Sequence, residues 1–313
     1  MRVESIVAVL LLLSACESAS LVLGDGNGSG NSGAGRSGEA DARVEVPPEP
    51  DPKDAPAPMF GEPRLIAEIS YSDKPDDDPS LSADRLLLCF NSKREGGEGK
   101  EDVWCATRQH ADARWDAPQP LQELNSDVRE TGIALAPDGL SLWFSSDRDG
   151  GSGGLDVYLS RRESSSAAWS APVRVPELSS ARDDLVSSID ESGRRLVLAR
   201  RDDDDDDYDV FVSLRDGPDH AWQTPQALSE INTDDEESDG FLVGAGLSLI
   251  FTRDKDLMLA RRASTSQLFD SGRPIDTLNS AEDDRDAWAD PELRYIVFSS
   301  DRDGDYRLYE ARR

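Results

Sequence analysis

The sequence predicts an all-β fold, a five-bladed β-propeller closed by its own N-terminal strand after a disordered tether. Three observations predict it. One unit recurs five times, with several columns agreeing at once; each copy reads as four short strands; and the strand missing from the last copy is found ahead of the first.

The columns are anchored on an aromatic opener: Phe60, Trp115, Trp169, Trp222 and Phe269. Three residues on stand Pro63, Pro118, Pro172 and Pro225, with Gly272 in the fifth copy. Nine on stand Ile69, Leu124, Leu178, Ile231 and Leu278, each followed by Ser70, Asn125, Ser179, Asn232 or Asn279. Turn residues such as Pro137-Asp138-Gly139, Ser192-Gly193 and Ala245-Gly246 separate two apolar runs, as in a hairpin. The run after the turn is the second strand, for example Leu142-Trp143-Phe144 or Ile296-Val297-Phe298. A Gly- or Asp-rich loop leads to a third, such as Asp156 to Leu159, and the next opener begins a fourth. The chain stops just after the third strand of the last copy, at Arg313. Phe60 to Ile69 therefore supplies the last blade's fourth strand, and closure hides edges that would otherwise recruit other chains.

Ahead of the propeller, residues 1–16 read as an export signal. Ile6 to Leu13 is an apolar run too short to span a membrane comfortably. Leu13-Ser14-Ala15-Cys16 resembles the lipobox of bacterial lipoproteins, which implies a lipid on Cys16, an outer-membrane destination and a chain facing the periplasm or the cell surface. Residues 17–59 are rich in Gly and Ser, then in Pro and acid, and read as a disordered linker that holds the 60–313 propeller off the membrane.

Formal charge is −30, from 64 acidic against 34 basic residues. That argues against nucleic acid, whose phosphates demand a basic face, and against anionic membrane surfaces except through the lipid anchor. No heptad, phosphate loop or zinc pattern appears.

Cys89 and Cys105 lie on the second and third strands of the first copy, where a hairpin would face them across the sheet. A cross-strand disulfide and two buried free thiols both remain open. An acidic column, Asp76, Glu130, Asp184, Glu237 and Asp284, precedes the first strand of each blade. First strands line a propeller axis, so these carboxylates would ring one mouth and suit a hard cation such as calcium. Recurrence in every blade favours the other reading, acids that cap backbone N–H groups. Ser146-Asp147-Arg148-Asp149-Gly150 and Ser300-Asp301-Arg302-Asp303-Gly304 read as turns holding an Asp–Arg pair. Asp202 to Asp207 reads as a solvated run. Trp288 is a singular aromatic near the axis, suited to core packing or to stacking on a sugar.

The run F-S-S-D-R-D-G-G-S-G-G-L-D-V-Y (Phe144 to Tyr158), with Ala-Pro-Asp-Gly before it and Leu124-Asn125-Ser126 upstream, is similar to the WD-like propeller repeat of the TolB family. The match covers 60–313, close in the second and fifth copies and looser in the third and fourth. It implies a non-enzymatic scaffold that contacts envelope or peptidoglycan-associated proteins; the chain itself is expected to be a monomer. The family's six blades and additional α/β domain have no room here, so its specific role does not carry over. The alternative is a carbohydrate-active propeller with carboxylates in its central pocket, which would need non-equivalent acids.

Overall fold

The computed structural model describes residues 56–70, 73–201 and 207–313. Cys16, the linker up to residue 55 and Asp202 to Asp206 lie outside the described residues.

The described chain is all β-strand and loop, arranged as five four-stranded antiparallel sheets. Blade one is β2 (Asp76–Leu81), β3 (Leu87–Ser92), β4 (Asp102–Thr107) and β5 (Gln119–Pro120). Blade two is β6 (Glu130–Leu135), β7 (Ser141–Ser146), β8 (Asp156–Arg161) and β9 (Val173–Arg174). Blade three is β10 (Asp184–Ile189), β11 (Arg195–Arg201), β12 (Tyr208–Leu214) and β13 (Gln226–Ala227). Blade four is β14 (Glu237–Val243), β15 (Ser248–Arg253), β16 (Asp256–Arg261) and β17 (Arg273–Pro274). Blade five joins β18 (Asp284–Ala289), β19 (Tyr295–Ser300) and β20 (Arg307–Arg312) to β1 (Arg64–Leu65) from the chain's other end.

That closure matches the sequence expectation in register. Arg64 pairs with Glu310 and Leu65 with Tyr309. Gly61 N–H donates to Arg312 O at 2.8 Å and Ile66 N–H to Leu308 O at 2.9 Å.

Fourth strands are only two residues long, because a side chain takes over where the ladder stops. Asn125 accepts Val103 N–H at 2.8 Å and returns a donor to Val103 O at 3.1 Å. Asn232 does the same for Val210, and Asn279 for Leu257. Ser179 and Ser70 accept the matching N–H groups of Val157 and Leu308. The apolar residue just before each is fully buried.

The aromatic openers are buried under arginines. Arg108, Arg162, Arg215 and Arg262 lie 4.0–4.5 Å over the rings of Trp115, Trp169, Trp222 and Phe269. Each also donates Nε to a carbonyl of the hairpin turn in its own blade, Arg85, Gly139, Gly193 or Gly246. The opener thus locks the outer strand to the inner hairpin.

The core lies between neighbouring blades. One cluster joins Ile66 and Ile69 of the closing segment, Phe90 and Trp104 of blade one, and Trp288 and Val297 of blade five. Trp288 is part of this packing, 6.2 Å from Phe241 and 6.3 Å from Tyr295 between ring centres. Cys89 and Cys105 are directly opposed on β3 and β4, with Cα atoms 4.1 Å apart, and the structure joins them as a disulfide.

Candidate functional site

Two layers of carboxylates surround the propeller axis, and only one of them converges. The five acids of the repeated column do not ring a mouth. Each is buried inside its own blade against an arginine: Asp76 with Arg94, Glu130 with Arg148 at 2.9 Å, Asp184 with Arg200 at 2.6 Å, Glu237 with Arg253 at 2.6 Å, and Asp284 with Arg302. In four blades the acid also accepts the backbone N–H four residues back, from Ser126, Ser180, Thr233 or Ser280. Every one of these arginines donates on to the carbonyl of the buried Leu or Ile of the outer strand: Ile69, Leu124, Leu178, Ile231 or Leu278. The column is a clamp running from inner strand to outer strand, combining charge pairing with backbone capping.

The Ser-Asp-Arg turns belong to the same clamp. Arg148 and Arg302 pair with Glu130 and Asp284, not with the aspartates of their own turn. Asp147 and Asp301 instead accept the backbone N–H groups of Arg129 and Asp283. Blades three and four lack the motif, yet Arg200 and Arg253 fill the role from inside the second strand.

The second layer sits two residues further on. Each inner strand carries a β-bulge at this point. Asp78, Gly132, Asp239 and Asp286 there take φ between 52° and 60°, a left-handed conformation that Asp and Gly tolerate better than other residues. Val186 holds the corresponding place in blade three without it. One oxygen from each of Asp78, Asp239 and Asp286 lies within 4.8 Å of the other two. Blades one, four and five therefore supply acid, while blades two and three supply Gly132 and Val186.

These residues floor a cavity of about 400 Å³ whose walls come from all five blades. Asp77, Glu101, Arg129, Tyr208, Arg285 and Tyr306 line it, with Lys93 and Glu236 at its exposed edge. Arg285 bridges to Asp77 and, at 3.3 Å, to Asp286. Asp78 Oδ2 accepts the Thr131 hydroxyl at 2.8 Å and Gly132 N–H at 2.7 Å, across the blade boundary. Ser238 donates to Asp239 at 2.7 Å. The opposite mouth is an apolar depression lined by Leu81, Leu135, Ile189, Phe241 and Trp288.

The acids of the cavity are electrostatically unequal. Burial, with the charges of Asp77 and Asp239, pushes Asp78 up to about 7. Burial and the same kind of repulsion push Asp286 well above the usual range. Burial also opposes ionisation of Asp77, but the Arg285 guanidinium overrides it and holds Asp77 below its ordinary value. Asp78 titrates higher in the folded chain than in the unfolded one, so its stabilising effect is full at acid pH. That effect is lost as pH rises through about 7. In chelator, the melting temperature is expected to fall between about pH 4 and about pH 7, and Asp78→Asn to flatten that slope. Thermal unfolding followed by circular dichroism across this range checks it.

No protein-family model matches the chain, and no curated protein sequence matches it. Among solved structures it is similar to a putative TolB from Agrobacterium tumefaciens, at 15% identity over 79% of each chain, TM-score 0.48. It is also similar to the α-L-arabinofuranosidase PaAbf62A from Podospora anserina, at 11% identity over 82% of this chain and 96% of that one, TM-score 0.54. A third is the endo-arabinase from Bacteroides thetaiotaomicron, at 14% identity over 82% and 98%, TM-score 0.53. At such identities the likeness shows the fold alone. The class defined here is a five-bladed propeller with an asymmetric acidic pocket on its axis.

Proposed function

We propose that this chain is a non-enzymatic binding propeller of the bacterial envelope. Cys16 carries its lipid, residues 17–59 form its tether, and the axial mouth engages a protein partner. The observation that carries the reading is the axial cavity. All five blades build it, but its charges break their symmetry, with acid floors in three blades and Lys93 and Arg129 on one side. A mouth with charge of both signs in fixed places selects a partner by electrostatic complementarity.

A carbohydrate-active reading draws on the unequal titration of Asp77 and Asp78, the separation that assigns acid and base roles in many hydrolases. The arginine favours the binding reading: Arg285 bridges both Asp77 and Asp286 and so ties two of the cavity's acids to a fixed charge partner.

The test compares the purified mature chain with its Lys93→Glu, Arg129→Glu variant as bait on solubilised envelopes. A protein retained by the first and lost by the second is the expected result. Release of sugar from arabinan or from chromogenic glycosides, abolished by Asp78→Asn, would instead establish the enzyme.

A further inference from the structure

We propose that the end of the propeller opposite the acidic cavity docks on a phospholipid surface. The contact is made by blade four and by the segment that closes the ring.

Charge is the first ground. The hairpin turns, the loops before the openers and the last two residues lie at that end (82–86, 107–116, 136–140, 161–170, 190–195, 214–223, 243–248, 261–270, 289–294 and 312–313). They carry 13 basic and 12 acidic residues. The described loops of the cavity end (73–78, 92–102, 125–132, 146–156, 179–186, 200–201, 207–209, 232–239, 253–256, 279–286 and 300–307) carry 14 basic and 31 acidic residues. The charge that argues against a membrane for the chain as a whole is thus collected at one end of the propeller. Beside phosphate headgroups such a molecule turns its near-neutral end inward and its acidic end away.

Blade four makes the docking end locally basic. Its turn, 243–248, holds no charge, and 261–270 holds two arginines and one aspartate. Burial lowers the basicity of Arg261; Asp270 opposes this, and the charges of Arg273 and Arg313 add to it, so three arginines lie close together. Burial and the neighbouring Arg195 act on Arg262 in the same direction. Arg312 stands beside them, paired with Asp112 at 2.8 Å on the surface. The planar guanidinium fork takes two phosphate oxygens at once.

Apolar side chains are gathered at the same end. Five large ones are exposed among the described residues, and four of them, Met59, Leu214, Leu247 and Leu268, lie here. Met59 is 76% exposed and Leu268 67%. The fifth, Val173, is on the outer strand β9. Leu247 follows directly on Gly246, at the lip of the apolar depression. Apolar tips set among arginines are the composition of a surface that enters the boundary between headgroups and acyl chains.

The point where the chain enters says what covers this end. Arg261 donates both Nη groups to Pro56 O at 3.1 Å, and Gly61 N–H donates to Arg312 O at 2.8 Å. Residue 56 opens the described chain, so residues 1–55 lead off from the basic, apolar rim and not from the acidic mouth. An anchor at Cys16 keeps this end near the leaflet, where a weak contact is sufficient. The acidic cavity then faces away from the bilayer, open to its partner.

The inference rests on the reading of the chain as tethered through Cys16. The experiment supplies that tether chemically, so the two fail separately: a native Cys16 without acyl groups would remove the natural anchor and leave the docking result as measured.

The unlipidated mature chain is coupled through its Cys16 thiol, Cys89 and Cys105 being joined, to a maleimide lipid. The vesicles are phosphatidylethanolamine with phosphatidylglycerol, and hydrogen–deuterium exchange is compared with the same chain free in solution. Exchange in 243–248 and 261–270 is expected to slow about threefold on the vesicles, with 232–239 and 300–307 unchanged. Coupling to phosphatidylcholine vesicles should protect less, because the anionic headgroups are gone. A Met59→Asp, Leu268→Asp, Arg313→Glu variant should melt with the parent, since all three side chains are exposed, and should lose the protection. The proposal is overturned if this end gains no protection, if the cavity end is protected instead, or if the triple variant keeps the effect. Equal slowing on maleimide beads that carry no lipid would mean contact between copies of the chain, and overturns it too.

Discussion

Arg302→Met is expected to lower the melting temperature by roughly 10 °C. The cause is a charge left behind more than a bond removed. Asp284 is fully buried, and Arg302 is its salt-bridge partner. Taking away one member of a buried pair costs about 3–5 kcal/mol, because the survivor stays desolvated and uncompensated. For a domain of this size each kcal/mol moves the transition by about 2–4 °C. The same side chain donates Nη2 to Leu278 O at 2.7 Å and lies over the Phe298 and Tyr309 rings at 5.2 and 4.9 Å. Its loss therefore also loosens the inner strand from the outer one. Methionine keeps the stem's apolar contacts and drops the charge. Adding Asp284→Asn should recover part of the loss, since it removes the stranded charge. The comparison is Arg114→Ala, whose partner Glu68 lies 3.4 Å away on the surface with the arginine 90% exposed. That exposed pair should contribute less than about 1 kcal/mol and shift the melt by no more than a few degrees. Calorimetric melts of the four proteins decide it. Equal effects for the two arginine variants would mean that the clamp does not carry the blade.

The clamp marks where sequence reading succeeds and where it stops. The acidic column was visible because the same residue type stands at the same step of five copies. Its role was not visible, because the partner arginine is distant and its spacing varies. It lies 18 residues on in blades one, two and five and 16 on in blades three and four. In the 16-step blades the arginine is the ladder partner of the acid, Arg200 opposite Asp184 and Arg253 opposite Glu237. In the 18-step blades it lies past the strand end and reaches back. Two different backbone positions deliver one contact, so no single column of the alignment shows it. The converging trio was hidden for another reason. Strict strand alternation puts Asp76 and Asp78 on the same face, and the same for Asp284 and Asp286. The bulge breaks that alternation, with the register slipping between Asp77 and Ser80 and between Arg285 and Trp288. The signal available in the sequence was the residue two steps after each acid: Asp78, Gly132, Val186, Asp239 and Asp286. Gly and Asp are the residues a left-handed bulge selects, and the departure from fivefold symmetry is what a site requires. The fold itself was legible because turns, openers and buried leucines repeat together, and each serves local hydrogen bonding that the copies share.

Removing everything before Ser70 is expected to abolish the soluble monomer. Phe60, Ile66 and Ile69 are buried in the described propeller. Each contributes roughly 1.5–3 kcal/mol by leaving water. Their sum rivals the whole stability of an ordinary domain, about 5–15 kcal/mol. The deletion also strips the outer edge of β20, where Arg312 O and Leu308 O now receive Gly61 and Ile66 N–H groups, and it takes Ile69 O from Arg94. An open edge beside an uncovered apolar face is a template for other chains, so aggregation on size exclusion should accompany the lost melt. The strand's position, not its place in the chain, is what the structure requires, and a permuted protein can show this. The arginine that covers each opener precedes it by a constant step: Arg108 before Trp115, Arg162 before Trp169, Arg215 before Trp222 and Arg262 before Phe269. Arg313 occupies the same place in blade five, its N–H bonded to Arg294 O as Arg108 N–H is to Leu86 O. A chain that starts at Tyr71 and continues from Arg313 through a six-residue linker into Phe60 to Ser70 reproduces that step. It should be monomeric and melt within a few degrees of the parent. A truncated chain that stays monomeric with an unchanged melt would show that the ring does not depend on its closing strand.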